Sequence, residues 1–315
     1  MQISPSGTKP LTRHFLDISD LSSNDFFGLL KDTHARKEAT KNGSAEAPLK
    51  GRVLAMVFEQ PSLRTRVSFD VGMRQLGGET LMISGSEIEL GKRESVADTA
   101  KVLSRMVDAV MIRTLDHKML GELAEHATVP VINGLTKRSH PCQVLADIQT
   151  FEEHRGSLNG KKVVWCGDTN NVLNSWLDAA AHIDMTISVA SPPEHALDPK
   201  IVERARAKGA KIELHSDAHE AAEGAHLVIT DTWVSMGDDK RESRHNMLAP
   251  YQVNAALMDR AASDALFMHC LPAYRGQEVT ADVIDGPQSV VFDEAENRLH
   301  AQKSVLAWCM DSSDL

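Results

Sequence analysis

Short runs of β-branched and aliphatic residues alternate with amphipathic stretches along nearly the whole chain. This alternation limits the fold more than any other feature. Arg52–Phe58 reads as a buried strand. After a polar turn, Phe69, Met73 and Leu76 recur at i, i+4 and i+7, which is a helix face, and Gly77-Gly78 supplies a helix stop. Further strands are expected at Leu81–Ser84, Ala109–Arg113 and Val129–Asn133, with helical stretches near 95–107 and 117–126. Beyond residue 160 the pattern continues, with strands expected at Lys162–Cys166, Met185–Ala190, Lys211–Leu214, His226–Thr230, Ala265–His269 and Ser289–Phe292. Alternating β and α elements imply an α/β chain of parallel sheets covered by helices.

Ten candidate strands in 315 residues suit two domains, each a parallel sheet flanked by helices. The helical stretch at 141–155 runs into a polar, glycine-bearing break, His154–Gly160, where the boundary is expected. The domains are then residues 1–150 and 151–294, with a last amphipathic helix, about 295–315, packing back on the first. Aromatic residues are only 4% of the chain, so Ala, Val, Leu, Ile and Met must build the core. The net charge of −10 argues against a nucleic-acid surface and leaves no polybasic membrane patch. No apolar run approaches the ~20 residues of a membrane span. Four scattered cysteines without a C-x-x-C are neither a zinc pattern nor a disulfide framework. With a start that lacks an apolar signal core, they point to a cytoplasmic protein.

The unusual polar clusters all follow the C-terminal ends of expected strands. They are Glu59–Arg66, Arg113, His140–Gln143, Asp168–Asn171, Asp231–Gly237 and His269–Pro272. Open parallel sheets bind ligands beyond the carboxyl ends of their strands. Two such edges facing each other place the active site in an interdomain cleft.

In Pro61-Ser62-Leu63-Arg64-Thr65-Arg66 a strand feeds a turn with two hydroxyls and two guanidiniums, and a helix starts at once. Helix N-termini favour phosphate, and Arg binds its oxygens through paired N–H groups. An ordinary N-cap beside solvated arginines has the same residues. No Walker A loop occurs. After the strand before Asp168-Thr169-Asn170-Asn171 the context mimics a dinucleotide turn, but G-x-G-x-x-G is missing, so a nucleotide-dependent oxidoreductase is not expected.

Ser62-x-Arg64-Thr65-Arg66 resembles the carbamoyl-phosphate signature of the aspartate/ornithine carbamoyltransferase superfamily, and His140-Pro141-Cys142-Gln143 resembles its second signature. Asp231-Thr232-Trp233-Val234-Ser235-Met236-Gly237 and His269-Cys270-Leu271-Pro272 are similar to the two that mark the ornithine branch. Their order and separations agree over roughly residues 11 to 310.

The resemblance implies carbamoyl transfer from carbamoyl phosphate to the side-chain amine of L-ornithine, with no cofactor and no metal. An amine attacks the carbonyl carbon, a tetrahedral oxyanion forms, and phosphate leaves. For the phosphate the resemblance implies Ser62, Arg64, Thr65 and the backbone N–H of Leu63. For the carbonyl oxygen it implies Thr65, Arg113 and His140, with Gln143 accepting from the carbamoyl NH2 and Arg298 reaching the same ligand. Arg64, Arg113 and Arg298 would make a cationic pocket in an acidic shell. One preorganised oxyanion donor is typically worth roughly 3–4 kcal/mol.

For ornithine the resemblance implies Asn171, Asp231, Ser235, Met236, Cys270 and the carbonyl of Leu271. Ser235-Met236-Gly237 would form a lid. The attacking amine must be neutral, which costs about 4–5 kcal/mol at pH 7 for a free alkyl ammonium. A desolvated pocket lowers that cost. Cys270, as a thiolate, or Asp231 would then take part in handling the proton.

Two positions depart from the family pattern. Leu63 stands where Thr is usual, which is tolerable if that position acts through its N–H. Glu89 stands where Gln is usual, at a position implied to reach a neighbouring subunit's carbamoyl phosphate; it would repel the phosphate unless protonated, turned away or paired with Lys92 or Arg93. The resemblance also implies a homotrimer or a multiple of trimers. Other acceptors (putrescine, N-acetylornithine, N-succinylornithine, aspartate) and a non-catalytic ligand-binding protein are the alternative readings.

Overall fold

The computed structural model describes residues 12–233 and 241–310. The first half runs α1 (Ser23–Asn42), β1 (Val53–Phe58), α2 (Leu63–Gln75), β2 (Glu79–Ser84), α3 (Gly85–Ile88), α4 (Val96–Leu103), β3 (Ala109–Arg113), α5 (His117–His126), β4 (Val131–Leu135) and α6 (Pro141–Arg155). The second runs β5 (Lys162–Cys166), α7 (Asn171–Ala179), β6 (Thr186–Ala190), α8 (Pro199–Ala207), β7 (Lys211–His215), α9 (Ala218–Ala222) and β8 (Leu227–Ile229). It continues with α10 (Arg241–Leu248), α11 (Ala255–Met258), β9 (Leu266–Met268), α12 (Ala281–Ile284) and α13 (Val291–Met310).

The strands form two sheets, β2-β1-β3-β4 and β7-β6-β5-β8-β9, with parallel pairing throughout. Each half is therefore α/β, as the alternation requires. In both sheets the chain starts in the middle, builds one side, and then crosses to the other. The crossings fall between β1 and β3 and between β5 and β8. Neighbouring connections there leave on opposite faces, which opens a crevice at the strand ends.

β1 is buried over its four central residues, and it is flanked on both sides, so an almost continuous apolar run suits it. The expected strand at Val129–Asn133 lies two residues later, because Pro130 has no N–H for a ladder and its carbonyl instead receives Val110 N–H. Ser289–Phe292 is not a strand. Ser289 makes one isolated bridge to Phe267, and α13 starts at Val291. A short apolar run reads alike as strand or helix start, and here Val290 and Val291 are buried at the head of a 20-residue helix.

α13 also differs from the amphipathic helix expected. It packs on α1, α2 and α6, and Asn297, Arg298, His300, Gln302, Lys303 and Ser304 are all buried. One apolar cluster runs from Phe69 and Met73 of α2 through Val144 and Ile148 of α6 to Trp165, Trp176 and Leu306. The two halves thus share a core around the α6–α13 pair. Four of the chain's aromatics, Phe69, Phe151, Trp165 and Trp176, belong to that shared cluster. No helix among the described residues is long and apolar enough to cross a membrane.

Candidate active site

All six polar clusters leave strand ends, and four of them flank the two crossings. Ser62 caps α2 after β1, accepting from Thr65 N–H at 3.3 Å. Leu63, at the first helical position, has a side chain that is 75% exposed, and its N–H is one of the first-turn donors that a helix leaves without an acceptor. Arg113 ends β3 across the crevice.

His140 occupies the N-cap of α6, but its side chain makes no cap bond, and Pro141 fixes the first turn instead. The imidazole is thereby left for the site. It is buried, and its Nδ1 has no hydrogen-bond partner in the protein. Burial, then Arg298, Arg113 and Arg64, hold its pKa well below the usual histidine value, so it is neutral.

Thr65 is the focus of this half. Its Oγ1 accepts from Arg298 Nη2 at 3.1 Å and from Arg113 Nη1 at 3.3 Å. A hydroxyl has two lone pairs and one proton, so with both pairs engaged its O–H remains to donate. Burial, then the Arg298 charge, lowers Arg113 to about 10, which keeps it charged at neutral pH. Nε of Arg113 and Nε of Arg298 are buried without a protein partner. Arg298 would read alone as an exposed helix charge, but it is 2% exposed, because α13 is covered on its α2 and α6 sides. Its Nη1 donates to Oε1 of Gln143 at 2.6 Å.

The second half brings its residues to the same place. Asn170 caps α7, accepting from Val172 and Leu173 N–H, and its Nδ2 donates to Asp231 Oδ2 at 2.7 Å. Asp231 Oδ1 accepts from the Cys270 thiol at 3.2 Å and from Thr232 N–H at 2.8 Å. Burial, then the Asp231 and Glu294 carboxylates, raise the Cys270 pKa well above the ordinary thiol value, so this arrangement supports a thiol donor rather than a thiolate. Asn171 donates to Thr136 O at 2.7 Å, a bond between the halves. Leu271, at φ +56° and followed by a cis bond to Pro272, gives its carbonyl to Nη2 of Arg64. The phosphate turn and the Cys270 loop are therefore in direct contact. Ser235 and Met236 lie outside the described residues.

Glu89 stands apart. It is exposed at the C-cap of α3, at φ +42°, and its backbone carbonyl accepts from the backbone N–H groups of Lys92 and Arg93.

Several polar partners escape the sequence motifs. Ser175 Oγ receives His140 N–H at 2.8 Å, and Arg244 Nη2 meets Asp168 Oδ1 at 2.7 Å. Asp147 and Glu294 both accept from Gln143 Nε2, at 2.8 and 2.9 Å. Spacing held the available signal, since Gln143/Asp147 and Glu294/Arg298 are each four apart on a helix.

Asp231, His269 and Cys270 present metal-capable atoms within 4.8 Å of one another. His269 Nδ1 already receives Leu271 N–H at 2.9 Å, its Nε2 faces Glu278 at 3.2 Å, and Cys270 bonds Asp231. The cluster is closed by its own hydrogen bonds.

Comparison with known proteins places the chain in a family. Residues 13–153 match the family model described as aspartate/ornithine carbamoyltransferase, carbamoyl-P binding domain. Residues 159–309 match its Asp/Orn binding domain. The chain is 61% identical over 300 residues to an ornithine carbamoyltransferase of Rhizobium meliloti, covering 95% of this chain and 99% of that one. Among solved structures it is similar to the ornithine carbamoyltransferase of Burkholderia thailandensis, with a TM-score of 0.88, 47% identity, and coverage of 95% of this chain and 99% of that one. It is also similar to that of Pyrococcus furiosus, with a TM-score of 0.92, 45% identity, and coverage of 97% and 99%.

Proposed function

The chain belongs to the aspartate/ornithine carbamoyltransferase family, and from that premise we infer that it moves the carbamoyl group of carbamoyl phosphate onto the side-chain amine of L-ornithine, giving L-citrulline and phosphate. The observation that carries the chemistry is Thr65, a hydroxyl held as a donor by two guanidiniums at a helix N-terminus.

In this reading Ser62, Arg64, Thr65 and the N–H of Leu63 hold the phosphate. Thr65, Arg113 and neutral His140 stabilise the oxyanion, and Gln143 with Arg298 orients the carbamoyl group. Asn171, Asp231, Ser235, Met236, Cys270 and Leu271 O receive ornithine. Asp231, whose Oδ1 accepts from Cys270 and Thr232, or Cys270 itself handles the amine's proton in this reading. Desolvation of the amine contributes the rest.

The same reading assigns residues 1–150 to carbamoyl phosphate and 151–294 to ornithine, with residues 295–315 returning to the first unit. α6 runs to Arg155 and α13 starts at Val291, which supports changeovers in the loops flanking those helices. A homotrimer is the assembly that the family resemblance implies; in it Glu89 would face a neighbouring subunit's phosphate, and Leu63, Val67 and Leu81 are apolar residues left exposed on the single chain. Four free cysteines support a cytoplasmic location.

An acceptor panel tests the substrate: ornithine, putrescine, N-acetylornithine, N-succinylornithine and aspartate, each with carbamoyl phosphate. Ornithine should exceed every other acceptor in kcat/KM. Preference for another acceptor would replace this reading, and tight bisubstrate-analogue binding without turnover would make the protein a ligand binder.

A further inference from the structure

Behind Gln143 lie two carboxyl groups for which the mechanism above has no use. Asp147 and Glu294 are each 1% exposed. They share the Gln143 amide nitrogen as acceptors. Asp147 Oδ2 also accepts from Trp176 Nε1 at 3.1 Å, and Glu294 Oε2 accepts from the His269 backbone N–H at 2.9 Å. On the other side of the amide stands the Arg298 guanidinium, 2.6 Å from Oε1.

These neighbours fix which way the amide faces. A guanidinium only donates, so it must meet the amide oxygen, and a carboxylate accepts, so it must meet the amide nitrogen. We propose that Asp147 and Glu294 are positioning residues for carbamoyl transfer, which lock the Gln143 carbonyl on the cleft side and tie the Cys270 loop to it through His269 N–H. The proposal rests on the carbamoyl-orienting role of Gln143 given above.

Burial and the adjacent carboxylate hold Glu294 well above the usual carboxylate range, and Asp147 is raised to about 7, chiefly by burial. Glu294 also spans the two halves of the chain: one oxygen meets Gln143 of α6 and the other meets the loop that carries Cys270.

The test is a double-mutant cycle on kcat/KM for carbamoyl phosphate at saturating ornithine. Asp147→Asn offers one acceptor oxygen to two donors, Gln143 Nε2 and Trp176 Nε1, which frees Gln143 to turn. It should lower kcat/KM by about 10²-fold, the size of a small misplacement of a reacting group. In a Gln143→Ala background the same change should cost less than about threefold, since its route of action is gone. Equal losses in both backgrounds, or normal kinetics of Asp147→Asn, would overturn the proposal. Glu294→Gln, run through the same cycle, replaces Asp147→Asn if that variant does not fold. Failure of both to fold would make the pair structural only and also overturn it. Normal kinetics of Gln143→Ala alone would instead remove the carbamoyl role of Gln143.

Discussion

The Thr65 hydroxyl accepts from the Arg298 guanidinium at 3.1 Å, across 233 positions of sequence. With Arg113 on its other lone pair, this hydroxyl has only a proton to offer the ligand. Thr65→Val should lower kcat by about 10²–10³, the cost of one oxyanion donor, and Thr65→Ser should retain most of the activity. Steady-state kinetics of the two variants check this. A loss in Thr65→Ser that Thr65→Val does not share would assign the role to the methyl group's packing.

Arg298 meets Gln143 and Thr65 with two different nitrogens of one planar fork. Lysine offers a single charged point on a flexible stem. Arg298→Lys should therefore lower kcat/KM for carbamoyl phosphate by about 10²-fold, a loss comparable to one misplaced donor. The KM for ornithine should change far less. A matching rise in the ornithine KM would mean that Arg298 organises the whole cleft.

Cys270 donates to Asp231, and its pKa is raised. The thiolate is the reactive form, so iodoacetamide should alkylate Cys270 at pH 7.5 more slowly than free cysteine. Mass spectrometry of a timed reaction reads the rate at that residue. Faster alkylation than free cysteine would restore the thiolate as proton acceptor.

Glu89→Gln removes a negative charge from the position proposed to face a neighbouring subunit's phosphate. At ~4 Å in water such a repulsion is about 1 kcal/mol, so the KM for carbamoyl phosphate should fall by about fivefold. The gain should shrink at high salt. An unchanged KM would place the side chain outside the site.

His300 is buried on α13, and burial, then the Lys303 and Lys37 charges, lower its pKa to about 4. An unfolded histidine titrates near 6.5, so between those values the unfolded chain holds more protons. Stability from this residue is present above about pH 6.5 and is lost as the pH falls toward 4. Urea midpoints measured at pH 7 and pH 5 should therefore differ less, in the acid-sensitive direction, for His300→Gln than for the parent chain. The same difference in both would show that His300 is solvated.

Much of this molecule was legible in its sequence, and the reasons are physical. Parallel strands buried on both faces leave apolar runs that stand out, and polar residues at their ends have no structural reason to cluster there. Ser62–Arg66 and the clusters at Asp231 and His269–Pro272 stood out for that reason, whereas Cys270 alone reads as an inert buried thiol and was lifted only by the family resemblance. The strand order was not, because periodicity says nothing about which strands pair. Ser289–Phe292 misled because a short apolar run fits two structures. Arg298 read as exposed because burial of a guanidinium depends on Gln143 and Thr65, which only the fold brings near. Asp147 and Glu294 needed the facing of two helices, so i, i+4 spacing alone did not mark them.

The most direct test of the central claim is a coupled measurement of citrulline and phosphate from one reaction with carbamoyl phosphate and ornithine. Both products should appear in equal amounts, only when both substrates are present, and at a rate that collapses in Thr65→Val. Phosphate release without citrulline, or no turnover with both substrates, would contradict it.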